Sequence, residues 1–314
     1  MKRALFIVLC LVMIAGLAFA GAKREEVYIP LVSKGFQHQF WVAVKSGAER
    51  AAAEFGVKIN FIGPDTETQV DRQMDMLQTE LAKNPSALGF AALDSRAAIP
   101  ILRQASLRGI PIIAFDSGVD SDIPVTTVST NNMNAAALAA DKMAEAIGGS
   151  GKVALIVHDQ TSRTGIERRD GFVQRMASQY PNIQVLEVQY GAGDHLRSAD
   201  IAKAVINANP DLKGYYGANE GSAIGIVNAV NELGIAGRIT VIGFDSGKAQ
   251  LDAIRSGLMY GAVQQNPVGM GYETVKAALA ALRGDRLPSH IDSGFVWADR
   301  SNLDSPQVRA VVYE

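Results

Sequence analysis

From residue 27 onward the chain alternates short apolar, β-favouring runs with stretches whose apolar residues recur at helical spacing, and it does so in two successive series. That alternation predicts an α/β protein with parallel sheets, because a strand that follows a covering helix re-enters its sheet in the same direction. The first series reads VYIPLV (27–32), a helix from about Phe40, VKINFI, a helix around 67–83, ALGFAA, a helix around 96–108, and PIIAF. In its first helix Phe40, Val44, Ala48, Ala51, Ala52 and Phe55 fall on one face. VTTVST (125–130) reads as a crossing segment, after which the pattern restarts. The second series is a helix over 131–147, KVALIV, a helix over about 165–179, IQVLEV, a helix over about 196–208, KGYYGA, a helix over about 220–233 and ITVIGF. The remainder adds a helix near 248–256, LMYGAVQQ (258–265), a helix near 267–283 and GFVWAD. It is too long for a tail and too short for a third domain, so the chain is expected to cross between two similar lobes more than once.

Each series closes on the same tetrapeptide. GIPIIAFDSG ends at 118 and ITVIGFDSG at 247, which places Asp116 and Asp245 at the carboxyl ends of corresponding strands. Ligands of open parallel sheets bind beyond those ends, where loops converge. A helix cap with a Ser-Gly turn would explain either aspartate alone. Two at matching positions favour a ligand held from two sides.

The ends and the charge narrow the function classes. Residues 1–20 carry Lys2 and Arg3, the apolar run ALFIVLCLVMIAGLAF and the small residues Ala18-Phe19-Ala20, the pattern of a secretory signal peptide cleaved near Ala20; a retained anchor is the alternative. The single cysteine, Cys10, lies in that run, so the mature chain is expected to have no disulfide and no thiolate metal site. Net charge is −2, and losing Lys2 and Arg3 takes it to −4, which argues against a nucleic-acid partner. The basic clusters Lys23-Arg24-Glu25-Glu26 and Arg168-Arg169-Asp170 mix signs.

Catalytic and cofactor patterns fit poorly. GGSGKV (148–153) has part of the spacing of a phosphate loop, but Ala146 stands where the first glycine belongs and Val153 where the hydroxyl belongs; a helix-ending turn fits better. His38, His158, His195 and His290 are scattered without metal-ligand spacing. No G-x-S-x-G and no dinucleotide fingerprint occurs. What remains at strand ends and helix starts is Asp116, Arg168, Asn219, Asp245 and Gln265, with the aromatics Phe40 and Trp41. Carboxylates, amides and a guanidinium can each grip neighbouring hydroxyls, and an aromatic face can cover the C–H side of a ring, which suits a sugar or polyol.

In order and spacing, LVSKGFQHQFWVAVKSGA, GIPIIAFDSG, TGIERRDGF, NPDLKGYYGANE, ITVIGFDSG and AVQQNP resemble the periplasmic sugar-binding proteins of ABC importers, of the ribose/galactose-binding type. The likeness covers about 27–293. It implies the type I periplasmic binding protein fold: Rossmann-like lobes at 27–130 plus 266–293 and at 131–265 plus 294–314, joined by a three-segment hinge and closing on a monosaccharide. Carried over by residue, it implies that Phe40, Trp41, Asp116, Arg168 (three places before Gly171-Phe172), Asn219, Asp245 and Gln265 touch ligand. The chain departs from the ribose-binding pattern at His38 (there asparagine), Ser117 (arginine), near Ala91 (asparagine) and near Gly193 (an aromatic), which puts ribose itself in doubt. His38 is the first additional contact to expect, with a solvated loop histidine as the alternative, while Arg169 is expected to be a surface ion-pair partner. The resemblance further implies an exported, periplasmic monomer that serves a membrane permease and has no catalytic residue, metal or cofactor. A sensor presenting sugar to a membrane receptor is the runner-up. The sensor module of a lac-repressor-type regulator fits less well, since an apolar leader occupies the place of its DNA-binding helices.

Overall fold

The computed structural model describes residues 26–313, so the leader and Cys10 lie outside the described residues. The first sheet contains β1 (Tyr28–Val32), β2 (Lys58–Ile62), β3 (Leu88–Phe90), β4 (Ile112–Phe115), β5 (Thr126–Ser129) and β12 (His290–Asp292), in the order β12-β5-β4-β3-β1-β2. Every pairing in it is parallel. The second sheet contains β6 (Gly151–Val157), β7 (Ile183–Val185), β9 (Leu212–Gly217), β10 (Thr240–Phe244), β11 (Gly261–Gln265) and β13 (Phe295–Asp299), in the order β13-β11-β10-β9-β6-β7. There β13 runs antiparallel to β11, and the short β8 (Gln189–Tyr190) extends the pairing of β6. Both sheets therefore share the order second-first-third-fourth-fifth within their own series, with a reversal of direction beside the first strand. Loops diverge at that reversal and leave a crevice at the carboxyl ends.

Helices cover both faces of each sheet. On the first they are α1 (Gln39–Phe55), α2 (Val70–Ala82), α3 (Ile99–Leu107) and α9 (Pro267–Leu282); around the second, α4 (Asn132–Ile147), α5 (Arg163–Gln179), α6 (His195–Ala208), α7 (Glu220–Glu232) and α8 (Lys248–Ser256), with a short α10 (Pro306–Arg309). Their starts are set by side chains that take up free N–H groups: Asn131 on α4, Ser162 on α5, Asp194 on α6, Asn219 on α7 and Asn266 on α9. Gly148, at φ 73°, ends α4, so GGSGKV is a helix-terminating turn. Each sheet has an apolar cluster on either face: Ile29, Trp41 and Met270 against Leu77, Phe90 and Leu102 in the first, Tyr215 and Ile226 against Phe172 and Phe244 in the second.

Two sequence expectations need correction. VTTVST is not itself a crossing: Thr126–Ser129 is a strand between β4 and β12, and the chain leaves the first sheet only at Thr130. IQVLEV is a strand over Ile183–Val185 alone. The chain passes between the sheets three times, at 130–131, at 265–266 and at 293–294, because β11 is followed by α9 against α1, and β12 by β13.

Candidate functional site: a polar cavity between the two sheets

Asp116 and Asp245 occupy equivalent places. The Asp116 N–H donates to Val128 O (2.9 Å) and the Asp245 N–H to Val263 O (2.8 Å), each on the strand next in the sheet. Both have left-handed backbones, φ 56° and 81°, uncommon for a residue with a side chain and costly enough to need a reason. The serines that follow, Ser117 and Ser246, are buried, and their hydroxyls lack partners among the described residues. No helix follows Asp116, and α8 starts on Gly247 without a side-chain cap, so neither aspartate caps the next helix.

Their carboxylates differ. Asp245 accepts from Glu220 N (3.0 Å) at the head of α7 and from Gln265 Nε2 (2.6 Å), with Arg168 Nη1 at 3.9 Å. Asp116 is equally buried, yet no hydrogen bond to its carboxylate is found among the described residues. Burial pushes it up to about 6, against the pull of Lys34 and Arg168.

All eight residues expected from sequence, His38, Phe40, Trp41, Asp116, Arg168, Asn219, Asp245 and Gln265, line one cavity. Arg168 lies over the face of Phe244 (3.8 Å) and donates to Asn132 Oδ1 (2.8 Å) and Ala218 O (3.0 Å), which fixes its plane. Asn219 spends its Oδ1 on Ser222 N (3.0 Å) and keeps its amide nitrogen. Gln265 has both ends engaged, accepting from Thr130 Oγ1 (2.8 Å) while holding Asp245. Phe40 and Trp41 stand edge to face at 5.0 Å, and Trp41 Nε1 donates to Glu67 Oε1 (2.8 Å). His38 is buried beside Gln37 (2.9 Å between Nε2 atoms), so it is no solvated loop histidine, and burial holds its pKa down although Glu67 and Asp245 oppose this. A side chain at Gly193 would meet Gln37 and His38, so two departures from the ribose-binding pattern share one space. Arg169 points elsewhere, to Asp170 (2.7 Å) and the Tyr190 hydroxyl.

Lys34, Glu67, His158 and Thr164 complete the lining and escaped the sequence reading. The strand-end rule was the available signal: Lys34 follows β1 and His158 follows β6, each beside its sheet's reversal. Lys34 Nζ donates to Thr164 Oγ1 (3.3 Å) and stands 3.7 Å from Glu67 Oε2, all three groups being buried. Burial would raise Glu67 and lower Lys34, but their mutual attraction wins: Glu67 falls to about 2 and Lys34 rises.

Hydrogen bonds cross from one lobe to the other around this cavity. Besides Lys34–Thr164, Gln37 Nε2 donates to Gly193 O (3.2 Å), Ser95 N to Thr161 O (3.0 Å), and Lys248 N to Gln39 Oε1 (2.8 Å). Glu220 accepts from Gln39 N (3.3 Å) and Phe40 N (3.4 Å) at the start of α1, where the helix dipole favours an anion. Burial and the Asp245 charge nevertheless push its carboxyl up to about 7. The cleft is closed. Among the described residues no three histidine, cysteine or carboxylate side chains are grouped to hold a metal, and no helix is long and apolar enough to cross a membrane.

Comparisons with known proteins agree with this architecture. The chain belongs to the periplasmic binding protein domain family, whose model matches residues 29–286. It is 27% identical over 285 residues to the D-allose-binding periplasmic protein of Escherichia coli, covering 88% of this chain and 89% of that one. Among solved structures, an ABC transporter solute-binding protein from Agrobacterium vitis bound with α-D-tagatopyranose is 33% identical, with a TM-score of 0.87 over 92% of this chain and 100% of that one. A carbohydrate transporter solute-binding protein from Agrobacterium radiobacter in complex with D-arabinose is 30% identical, with a TM-score of 0.88 over 93% and 100%.

Proposed function

We propose that this family member is an exported solute-binding protein of an ABC importer, which captures a pentose, a hexose or a related polyol between its lobes and delivers it to a membrane permease. Residues 27–130 with 266–293 would move as one lobe and 131–265 with 294–314 as the other, about the three crossings. The observation that carries the reading is the pairing of Asp116 and Asp245 across one closed polar cavity, with Arg168 and the Asn219 amide aimed at the same space. Two acceptor carboxylates facing donor groups grip a molecule that both gives and takes hydrogen bonds, as vicinal hydroxyls do. A misplaced hydroxyl leaves a buried group unpaired, at about 1–3 kcal/mol each, enough to reject epimers.

The roles of Phe40, Trp41, Asp116, Arg168, Asn219, Asp245 and His38 as direct contacts belong to this proposal. Gln265 is assigned a positioning role, since both ends of its amide are already bonded. The protein acts as a binder in periplasmic or equivalent exported space, as a monomer, and turns nothing over. Calorimetric titration with D-allose, D-ribose, D-tagatose, D-arabinose and a set of polyols tests it. At least one sugar is expected to bind tightly and with a negative heat-capacity change; folded protein that binds none refutes the proposal.

A further inference from the structure

His158 is a cavity-lining ring whose hydrogen bonding is left half finished. It follows β6 beside the second sheet's reversal and is 2% exposed. Its Nε2 stands 3.1 Å from Thr164 Oγ1, and its Nδ1 has no hydrogen-bond partner among the described residues. An ammonium only donates, so Thr164 Oγ1 takes the Lys34 proton (3.3 Å) on one lone pair. Ser162 Oγ also lies near Nε2, but at a longer 3.4 Å, and it is engaged on both sides: its hydroxyl donates to Asp159 Oδ2 (2.8 Å) and its oxygen accepts from Gly165 N (3.1 Å). The Thr164 proton then has two acceptors in reach, His158 Nε2 at 3.1 Å and Ser162 Oγ at 3.3 Å. The nearer is an sp² nitrogen whose lone pair is otherwise unused. Asp159 Oδ2, at 3.6 Å from Nε2, is too far to claim a proton there, and it is occupied by Ser162.

With Nε2 accepting, a neutral ring carries its proton on Nδ1. The ring is neutral: burial, with the charges of Lys34 and Arg168, holds its pKa well below the ordinary histidine value in spite of Asp159 and Glu67. A buried N–H with no acceptor is a group that a native structure retains where something else supplies the acceptor. We propose that His158 is a specificity residue which donates its Nδ1–H to an oxygen of the bound sugar, with Thr164 and Lys34 holding the ring in the tautomer that does so. This rests on the sugar-binding reading and adds to it a contact that the resemblance does not assign.

The test uses the full chain in two measurements. Titrations with D-allose, D-ribose, D-tagatose and D-arabinose compare wild type with His158→Asn, His158→Gln and His158→Ala. An asparagine amide reaches the place of Nδ1, whereas a glutamine amide reaches that of Nε2. Asn is expected to stay within about 3-fold of wild type, with Gln and Ala losing about 10- to 100-fold. The reverse order, Gln retained and Asn lost, or all three equal to wild type, overturns the proposal. Nitrogen-15 NMR of the wild-type imidazole needs no variant: an Nδ1-protonated ring whose N–H signal shifts on sugar binding supports it, and an Nε2-protonated ring overturns it. Wild type that binds none of these sugars and none of the polyols overturns the functional reading and the sugar as acceptor together, whereas ligand binding indifferent to His158 overturns this assignment alone.

Discussion

Asp116→Gly should make the closed, sugar-free form of the protein more stable while destroying its affinity. The carboxyl is raised from 3.8 to about 6, so its burial costs about 3 kcal/mol wherever both folded and unfolded forms are ionised. The left-handed backbone at φ 56° adds about 1 kcal/mol for a residue with a side chain. Glycine removes both costs and introduces an entropic one of roughly 0.5–1 kcal/mol. The net gain at pH 8 is then about 3 kcal/mol, or ~6–12 °C in the melting of the lobe that holds it. The sign follows from the raised value: the carboxyl costs nothing below its unfolded pKa, and the penalty grows as pH rises through about 6.

Melting curves of the two sugar-free proteins at pH 4 and pH 8 should therefore converge at the acid end and separate at the alkaline end. Titration of the same samples with the best-bound sugar should show a loss of at least about 100-fold, since hydrogen bonds to a charged acceptor contribute about 1.5–3 kcal/mol each. A variant less stable than wild type at pH 8, or a difference in melting that does not change with pH, would refute the reasoning, because Asp116 would then be holding the fold together.

Other perturbations test other parts of the site. Glu220 is raised from 4.5 to about 7 in the closed cleft, so closure takes up a proton and sugar affinity should weaken as pH rises from about 4.5 through 7; Glu220→Gln should flatten that profile in calorimetric titrations and bind more tightly than wild type at pH 8. Gln265→Leu strips Asp245 of one donor and Thr130 of its acceptor, and should weaken binding by about 10- to 100-fold with little change in the far-ultraviolet circular dichroism. A methyl at Gly271 would run into the Val44 carbonyl where α9 crosses α1, so Gly271→Ala should cost about 1–3 kcal/mol in urea unfolding and leave sugar affinity nearly unchanged.

How much of this was legible depended on where the energy of each feature lies. Strands such as β6 and β10 announce themselves because both faces are covered and the run is apolar over 153–157 and 241–244. The edge strand β12 has one apolar residue, Ile291, between His290 and Asp292, and nothing in it separates a strand from a loop. The paired aspartates were visible as a repeat. Lys34 and Glu67 were not, because either reads as surface until a partner remote in sequence buries it; Lys34 meets Thr164 across 130 residues. Gln265 was visible as a polar residue at a strand end, but no local pattern tells an amide that faces a ligand from one that holds Asp245.

The two FDSG segments share a backbone and differ in what their carboxylates have already done. Asp245 is held before any ligand arrives, and its holder leads into the hinge: Gln265 sits at the second crossing, bonds Thr130 at the first, and Thr130 Oγ1 lies 3.4 Å from Ser293 Oγ at the third. A pull on Asp245 is thus transmitted to all three segments about which the lobes would turn. Asp116 has no such anchor and keeps an unfavourable burial that only a donor from elsewhere can relieve. A ligand that donates to both gains from relief on one side and from a preformed grip on the other. On the proposed binding role, that asymmetry would keep the repeated tetrapeptide from being redundant: one copy would couple occupancy to the hinge, and the other would make the empty closed cleft less favourable than the filled one.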